Sequence, residues 1–217
     1  MKQEGNMMAE KGILVVVSGF SGAGKGTLIK RLMEKYDNYA LSISATTRDP
    51  RPGEENGREY FFHTKKEFEE LILQDALVEY AQYVENYYGT PKAYVEKQLN
   101  KGKDVILEIE IQGALKVKEK RPDTLLIFMT PPSAEELKRR LVGRGTETME
   151  VINSRLARAF EEAKGMPEYD YILVNDQLEE CVDRMHGIIQ SQHDRAENCQ
   201  EFIEKITEEI AVFQKGE

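Results

Sequence analysis

Nine residues constrain this chain more than any others. Gly19-Phe-Ser-Gly-Ala-Gly-Lys-Gly-Thr27 lies between an apolar run, Ile13-Leu-Val-Val-Val17, and a segment where Leu28, Ile29, Leu32 and Met33 recur at helical spacing. The run is apolar on both faces and rich in β-branched residues, which predicts a buried strand of a parallel sheet. A strand, a glycine-rich turn and a helix in that order form a phosphate-binding loop. Glycines let successive backbone N–H groups converge on phosphate oxygens, the helix amino end adds positive potential, and Lys25 brings a point charge to the outer phosphates. Gly19, Ser21, Gly22, Ala23, Gly24, Lys25, Gly26 and Thr27 are the expected phosphate-binding residues, with Lys25 also a catalytic candidate. Gly26 stands where most such loops carry the Ser or Thr that ligates magnesium. The hydroxyl follows at Thr27, which is therefore only a weak metal candidate.

Beyond the loop, Val105-Ile-Leu-Glu-Ile109, Thr124-Leu-Leu-Ile-Phe-Met129 and Tyr171-Ile-Leu-Val174 read as further buried strands separated by helical stretches. Ser133 and Glu136 have capping-box spacing after Pro131-Pro132 and predict a helix start leading into Leu137 and Leu141. Alternating strands and helices give an α/β expectation, a parallel sheet with helices on both faces. The rhythm breaks between Thr46 and Tyr94, where prolines, glycines and the aromatic residues Tyr60, Phe61, Phe62, Tyr80, Tyr83, Tyr87 and Tyr88 suggest a small sheet-rich insert. The expected division is a core of residues 12–45 and 91–217, an inserted lobe at 46–90, a lid at about 138–158 within the core, and a disordered start at 1–11.

Charge narrows the function. The formal net charge of −9 argues against generic nucleic-acid binding. Residues 178–217 hold ten acids against four bases, whereas Lys138 to Arg158 hold six bases against two acids. A local excess of four positive charges suits a small, multiply charged anion. Arg140 and Arg144 lie four apart, Gly143 and Gly145 loosen the turn, and Arg155 and Arg158 lie three apart on the next helix. Cys181, Cys199 and the three histidines show no metal-ligand spacing. The longest apolar run is far below the ~20 residues of a membrane span, and Met1 to Lys11 is too polar for a signal peptide. A cytoplasmic location is expected. In the tail, Phe202, Ile206, Ile210 and Phe213 form an apolar stripe on a charged helix, expected to dock on the core, with a dimer contact as the alternative.

The segments Ser44-Ala-Thr-Thr-Arg48, Pro50-Arg51, Gly53-Glu54, Asn56-Gly57, Glu59-Tyr-Phe61, Glu79-Tyr-Ala-Gln82, Asn86-Tyr-Tyr-Gly-Thr-Pro91, Glu108-Ile-Glu-Ile-Gln-Gly113, Gly143-Arg-Gly-Thr-Glu-Thr148 and Val174-Asn-Asp176 occur in an order that resembles the guanylate kinases over residues 13 to about 185. The resemblance implies a P-loop NTPase-type core with a GMP-binding lobe and a helical lid, and transfer of a phosphoryl group from ATP, as MgATP, to GMP. It implies that Arg48, Arg51, Tyr60 and Tyr88 hold the GMP phosphate, that Ser44, Glu79, Thr90 and Glu110 read guanine, that Arg140, Arg144 and Arg155 bridge the phosphates, and that Asn175 contacts the ATP base. Mg2+ would be held largely through water and phosphates. The chemistry agrees: forked guanidiniums suit a dianion, and a carboxylate accepts from guanine N1–H and the 2-amino group, which adenine cannot match. The family usually carries Asp where this chain has Glu110, and Glu108 shares its strand face, so either glutamate can instead face the magnesium-bound phosphates through water. Small-molecule substrates are expected, with neither nucleic acid nor membrane as partner. Oligomeric state is left open between monomer and homo-oligomer. The rival readings are an inactive protein-binding module of the same fold, which typically lacks the loop lysine and lid arginines, and a kinase for another phosphorylated acceptor. A signalling GTPase would need an Asn-Lys-x-Asp segment, and none is present.

Overall fold

A computed structural model describes residues 11–83, 85–143 and 148–214. The strands are β1 (Leu14–Gly19), β2 (Tyr39–Leu41), β3 (Ala45–Thr46), β4 (Phe61–Phe62), β5 (Leu77–Tyr83), β6 (Asn86–Pro91), β7 (Asp104–Glu108), β8 (Leu125–Thr130) and β9 (Tyr171–Val174). The helices are α1 (Lys25–Lys35), α2 (Lys65–Leu73), α3 (Lys92–Leu99), α4 (Ile111–Lys120), α5 (Ala134–Gly143), α6 (Met149–Ala163), α7 (Leu178–His193) and α8 (Gln200–Gln214). Five strands form one parallel sheet in the order β2-β7-β1-β8-β9, with Val15 opposite Ile106 and Leu125. The central position of β1 explains its sequence. Val15, Val16 and Val17 are wholly buried because helices cover both faces.

The sequence-predicted strands all appear, with small shifts, but β9 is not the buried strand expected: it lies at the sheet edge, where only Leu173 is buried and Tyr171, Ile172 and Val174 are exposed. Ile13 precedes β1, and its N–H donates to the buried Asp104 carboxylate at 2.9 Å. β2, only three residues long, was too short to carry a period of its own. Met33 stays at the rim of the α1 face and is 38% exposed.

A second sheet has the order β4-β3-β6-β5. The stretch expected to be sheet-rich also holds α2, whose capping box is complete: Glu67 N–H donates to Thr64 Oγ1 at 3.2 Å and Thr64 N–H to Glu67 Oε2 at 2.7 Å. Phe68 of α2 is buried with Ala45 and Leu77 and stacks on Tyr87 at 5.3 Å, which fixes α2 against the sheet. Ser133 and Glu136 make only half of the expected box. Glu136 N–H donates to Ser133 Oγ at 3.1 Å, but its carboxylate turns to Arg139 and Arg140, which hold its pKa down at about 2.

α7 is tied to α1 by the Arg31–Glu179 ion pair at 2.6 Å and by a stack of Tyr36 on His186 at 3.7 Å. Asp104, 1% exposed, gathers Ile13 N–H, Asn38 Nδ2, Gln190 Nε2 and His193 Nε2 and so joins β7, the approach to β1 and the end of α7. α8 departs from expectation. Its stripe does not dock on the core: Phe202 is 66% and Phe213 79% exposed. Among the described residues no helix is long and apolar enough to cross a membrane.

Candidate active site

The loop between β1 and α1 takes its shape from glycines that sequence alone marks only as permissive. Gly22 and Gly24 have φ of +94° and +93°, a left-handed conformation that side chains strain to adopt. At Gly24 a Cβ would also lie 2.7 Å from Asn175 Nδ2. Gly24 caps α1 without a side chain, and no acid occupies the first turn, so the helix amino end keeps its positive potential for a ligand. The loop is braced from behind. Ala23 is buried, and its carbonyl accepts from Asn175 Nδ2 at 2.8 Å and Arg140 Nη1 at 3.3 Å. Arg140 also donates to Asn175 O at 2.9 Å and to Glu136 at 2.7 Å. Lys25 Nζ folds back to Gly19 O at 2.7 Å.

In front of the loop opens a cavity of about 510 Å3, lined by Gly19, Ser21 and Lys25, by Glu108 at the end of β7 and Glu110 beyond it, and by Arg155, Arg158 and Glu162 of α6. Its volume suits part of a nucleotide. Glu108 is reached by water yet ringed by enough protein that burial pushes its carboxyl above the usual range, opposed by Lys25. Glu108 Oε2 would lie 4.0 Å from a Cβ at Gly26, so the glycine leaves a carboxylate within reach of the loop. Thr27 is exposed on α1, and among the described residues no cluster of three His, Cys, Asp or Glu could hold a metal by itself. Such a donor set fits a magnesium ion brought in on phosphates and water, with Glu108 as an outer partner. Arg155 donates to Ser21 Oγ, which brings α6 onto the loop. Arg158 spans Glu110 at 2.7 Å and Glu162 at 2.9 Å. Arg144 lies outside the described residues.

The remaining candidates sit on the second sheet. The Arg48 guanidinium lies 5.3 Å from the Tyr60 ring centre and 5.9 Å from that of Phe62, and it pairs with Glu54 at 3.0 Å. Tyr60 meets Tyr88 edge to face at 6.2 Å, and Tyr88 is opposite Thr46 in the β3–β6 register. Glu54 also accepts from Arg51 N–H at 2.8 Å. That backbone bond and the Arg48 pair hold its carboxyl below the usual range. The structure thus gathers Arg48, Tyr60 and Tyr88, while Arg51 joins them through its backbone. Ser44 immediately precedes β3, its carbonyl accepting from Phe61 N–H at 2.9 Å.

Glu79 of β5 is 7% exposed and accepts from Thr90 Oγ1 at 2.8 Å. Burial pushes its carboxyl above the ordinary range. Its Oε2 would stand 3.3 Å from a Cβ at Gly113 of α4, so that glycine makes the room it occupies. Glu110 does not face the same way, since its carboxylate is turned to Arg158. α4 nevertheless links the two regions: Ile111, its first residue, lines the cavity and Gly113 faces Glu79. Sequence reasoning assigned no role to Glu54, Phe62, Gly113 or Glu162. Spacing offered a signal only for Glu54, three residues after Arg51.

Residues 11–192 match the family model described as guanylate kinase. The chain is 54% identical over 190 residues to the guanylate kinase of Lactococcus lactis, covering 88% of this chain and 93% of that one. It is 52% identical over 203 residues to that of Oceanobacillus iheyensis, covering 94% and 98%. It resembles the crystal structure of guanylate kinase from Anaplasma phagocytophilum with a TM-score of 0.67 at 33% identity, covering 87% and 90%. A braced phosphate loop, a cavity before it lined by three bases and three acids, and a buried carboxylate on the second sheet thus occur in a sequence more than half identical to the first two of these enzymes, and the chain belongs to the guanylate kinase family.

Proposed function

We propose that the chain transfers the terminal phosphoryl group of ATP to GMP, giving ADP and GDP, with the lobe at 46–90 holding GMP and the core of 12–45 and 91–217 holding ATP. It acts on small molecules in the cytoplasm. The observation that carries the reading is Glu79, a carboxylate buried beside Thr90 in space that Gly113 leaves open. Guanine presents N1–H and a 2-amino group to such a carboxylate. Adenine presents an unprotonated N1 and would leave it desolvated and unpaired, a mismatch worth a factor of about 10^4 where the site is built for the donor.

Arg48, Tyr60 and Tyr88 then receive the GMP phosphate, with Arg51 closing on it. Glu54 keeps Arg48 extended over the two rings before substrate arrives, which lowers the ordering cost of binding. Ser44 and Thr90 serve guanine O6 or N7. Glu110 is free to read the base only after it leaves Arg158. On the donor side, the loop amides from Gly19 to Thr27 cradle the phosphates, Lys25, Arg155 and Arg144 neutralise charge on the moving group, and Arg140, expected among them, acts from behind the loop through Ala23 and Asn175. Magnesium bound to ATP supplies further neutralisation at the phosphate oxygens. The acceptor phosphate is already ionised at neutral pH, so no protein base is needed, and catalysis rests on alignment and electrostatics.

Steady-state kinetics of Glu79→Gln test the base assignment. Expected is a fall of about a hundredfold or more in kcat/KM for GMP with the KM for ATP nearly unchanged. Parental kinetics for GMP would remove Glu79 from the site.

A further inference from the structure

The cavity before the phosphate loop is balanced in charge, with Lys25, Arg155 and Arg158 set against Glu108, Glu110 and Glu162. Arg158 is where the two signs meet. Its guanidinium donates to Glu110 at 2.7 Å and to Glu162 at 2.9 Å. Glu162 lies four residues further along α6, so that contact travels with the helix. Glu110 belongs to a different part of the molecule. It is the residue before α4, and its side chain caps none of that helix's N–H groups. Three residues before Arg158, and on the same face of α6, Arg155 donates to Ser21 of the phosphate loop. One helix face thus holds the loop with one arginine and Glu110 with the next.

We propose that Arg158 couples the two substrate sites: GMP takes Glu110 from it, and the released guanidinium turns to the phosphates of the donor nucleotide. This rests on the reading of Glu110 as a guanine contact. Charge supplies the reason. While Glu110 faces the cavity, three bases and three acids cancel; once its carboxylate turns to guanine, one positive charge is left over for a polyanion. Arg158 keeps its orientation through Glu162, so it arrives at the phosphates already ordered. Exposure sets the size of the effect. The Glu110 side chain is 73% and that of Arg158 51% exposed, so breaking the pair costs GMP only about two- to fivefold in affinity. The gain in donor affinity is of the same order, and by linkage the donor tightens GMP by the same factor.

Isothermal titration calorimetry tests this with GMP alone and with MgADP, the latter with and without saturating GMP, since ADP and GMP together do not react. Arg158→Ala is expected to move the two affinities in opposite directions. GMP alone should bind about two- to fivefold tighter, because Glu110 no longer has to be freed. The gain in ADP affinity that GMP produces should shrink by about two- to fivefold. Glu110→Gln is expected to weaken GMP, and adding Arg158→Ala to it should not tighten GMP again. Parental GMP affinity in Glu110→Gln would remove Glu110 from the base and overturn the proposal together with the reading beneath it. Weakened GMP binding in Glu110→Gln, alongside parental GMP affinity and parental coupling in Arg158→Ala, would overturn the exchange and leave that reading intact.

Discussion

A buried carboxylate is a costly residue, and Glu79 shows how the cost relates to use. Its folded pKa lies above that of an unfolded glutamate, so its contribution to stability is fully present below the ordinary carboxylate range and is lost as pH rises through the raised value. Replacing it with glutamine should therefore raise the melting temperature of the ligand-free protein at neutral pH. The difference should vanish near pH 4. Thermal melts across pH check this, and a variant that melts lower at neutral pH would contradict it. Gly113 acts through Glu79. A methyl group at 3.3 Å from Oε2 must push the carboxylate aside. Gly113→Ala is expected to raise the KM for GMP by about tenfold or more while leaving that for ATP nearly unchanged. Asn175 gives a sharper contrast. Its amide is buried and donates to Ala23 O, so it braces the loop from behind. Asn175→Ala should weaken ATP and GTP as donors by the same factor, since a brace does not read the base. A loss confined to ATP would return Asn175 to contact with adenine.

At the level of elements, the molecule rests on β7 and its neighbours. Asp104 satisfies donors from three segments at 1% exposure, and none of them belongs to the substrate sites. Asp104→Ala leaves Ile13 N–H and Gln190 without their acceptor, and a loss of about 2–4 kcal/mol in unfolding free energy is expected from chemical denaturation. KM values measured well below the new midpoint should stay close to those of the parent. α6 and α5 play the opposite part. Arg155 reaches the phosphate loop from one helix and Arg140 from the other, so both helices meet the loop through charged side chains. α2 shows the logic of a complete cap, with Thr64 and Glu67 starting a helix that Phe68 then anchors.

Viewed whole, the chain divides its information unevenly. The phosphate loop was legible because strand, glycines and helix are contiguous and each carries a local signal. β1, β7 and β8 were legible because a central parallel strand must be apolar on both faces, whereas β9, equally apolar in sequence, is an edge strand with only Leu173 buried. β2 was not, since its three residues gain their identity only by pairing with β7. α2 was missed because aromatic residues on either side suggested strand, although its capping box stood in the sequence. Asn175 as a brace, Gly113 as a spacer and Glu54 as a holder of Arg48 depend on contacts across long stretches of chain, which no pattern along the sequence encodes. The charge asymmetry has a counterpart in space. The excess of bases between Lys138 and Arg158 supplies Arg140 and Arg155 to the loop, while the described acids beyond residue 178 lie on α7, on α8 and in the turn between them.

The central claim is that a buried carboxylate selects guanine for a loop that holds ATP. Release of ADP from magnesium-ATP, measured with GMP, AMP, CMP and UMP in turn and with Lys25→Ala protein as the blank, tests it most directly. The account predicts rapid turnover with GMP, a rate with AMP lower by about a thousandfold or more, and no activity above the blank for the pyrimidines. Comparable turnover with AMP or a pyrimidine nucleotide, or none with GMP, would contradict it.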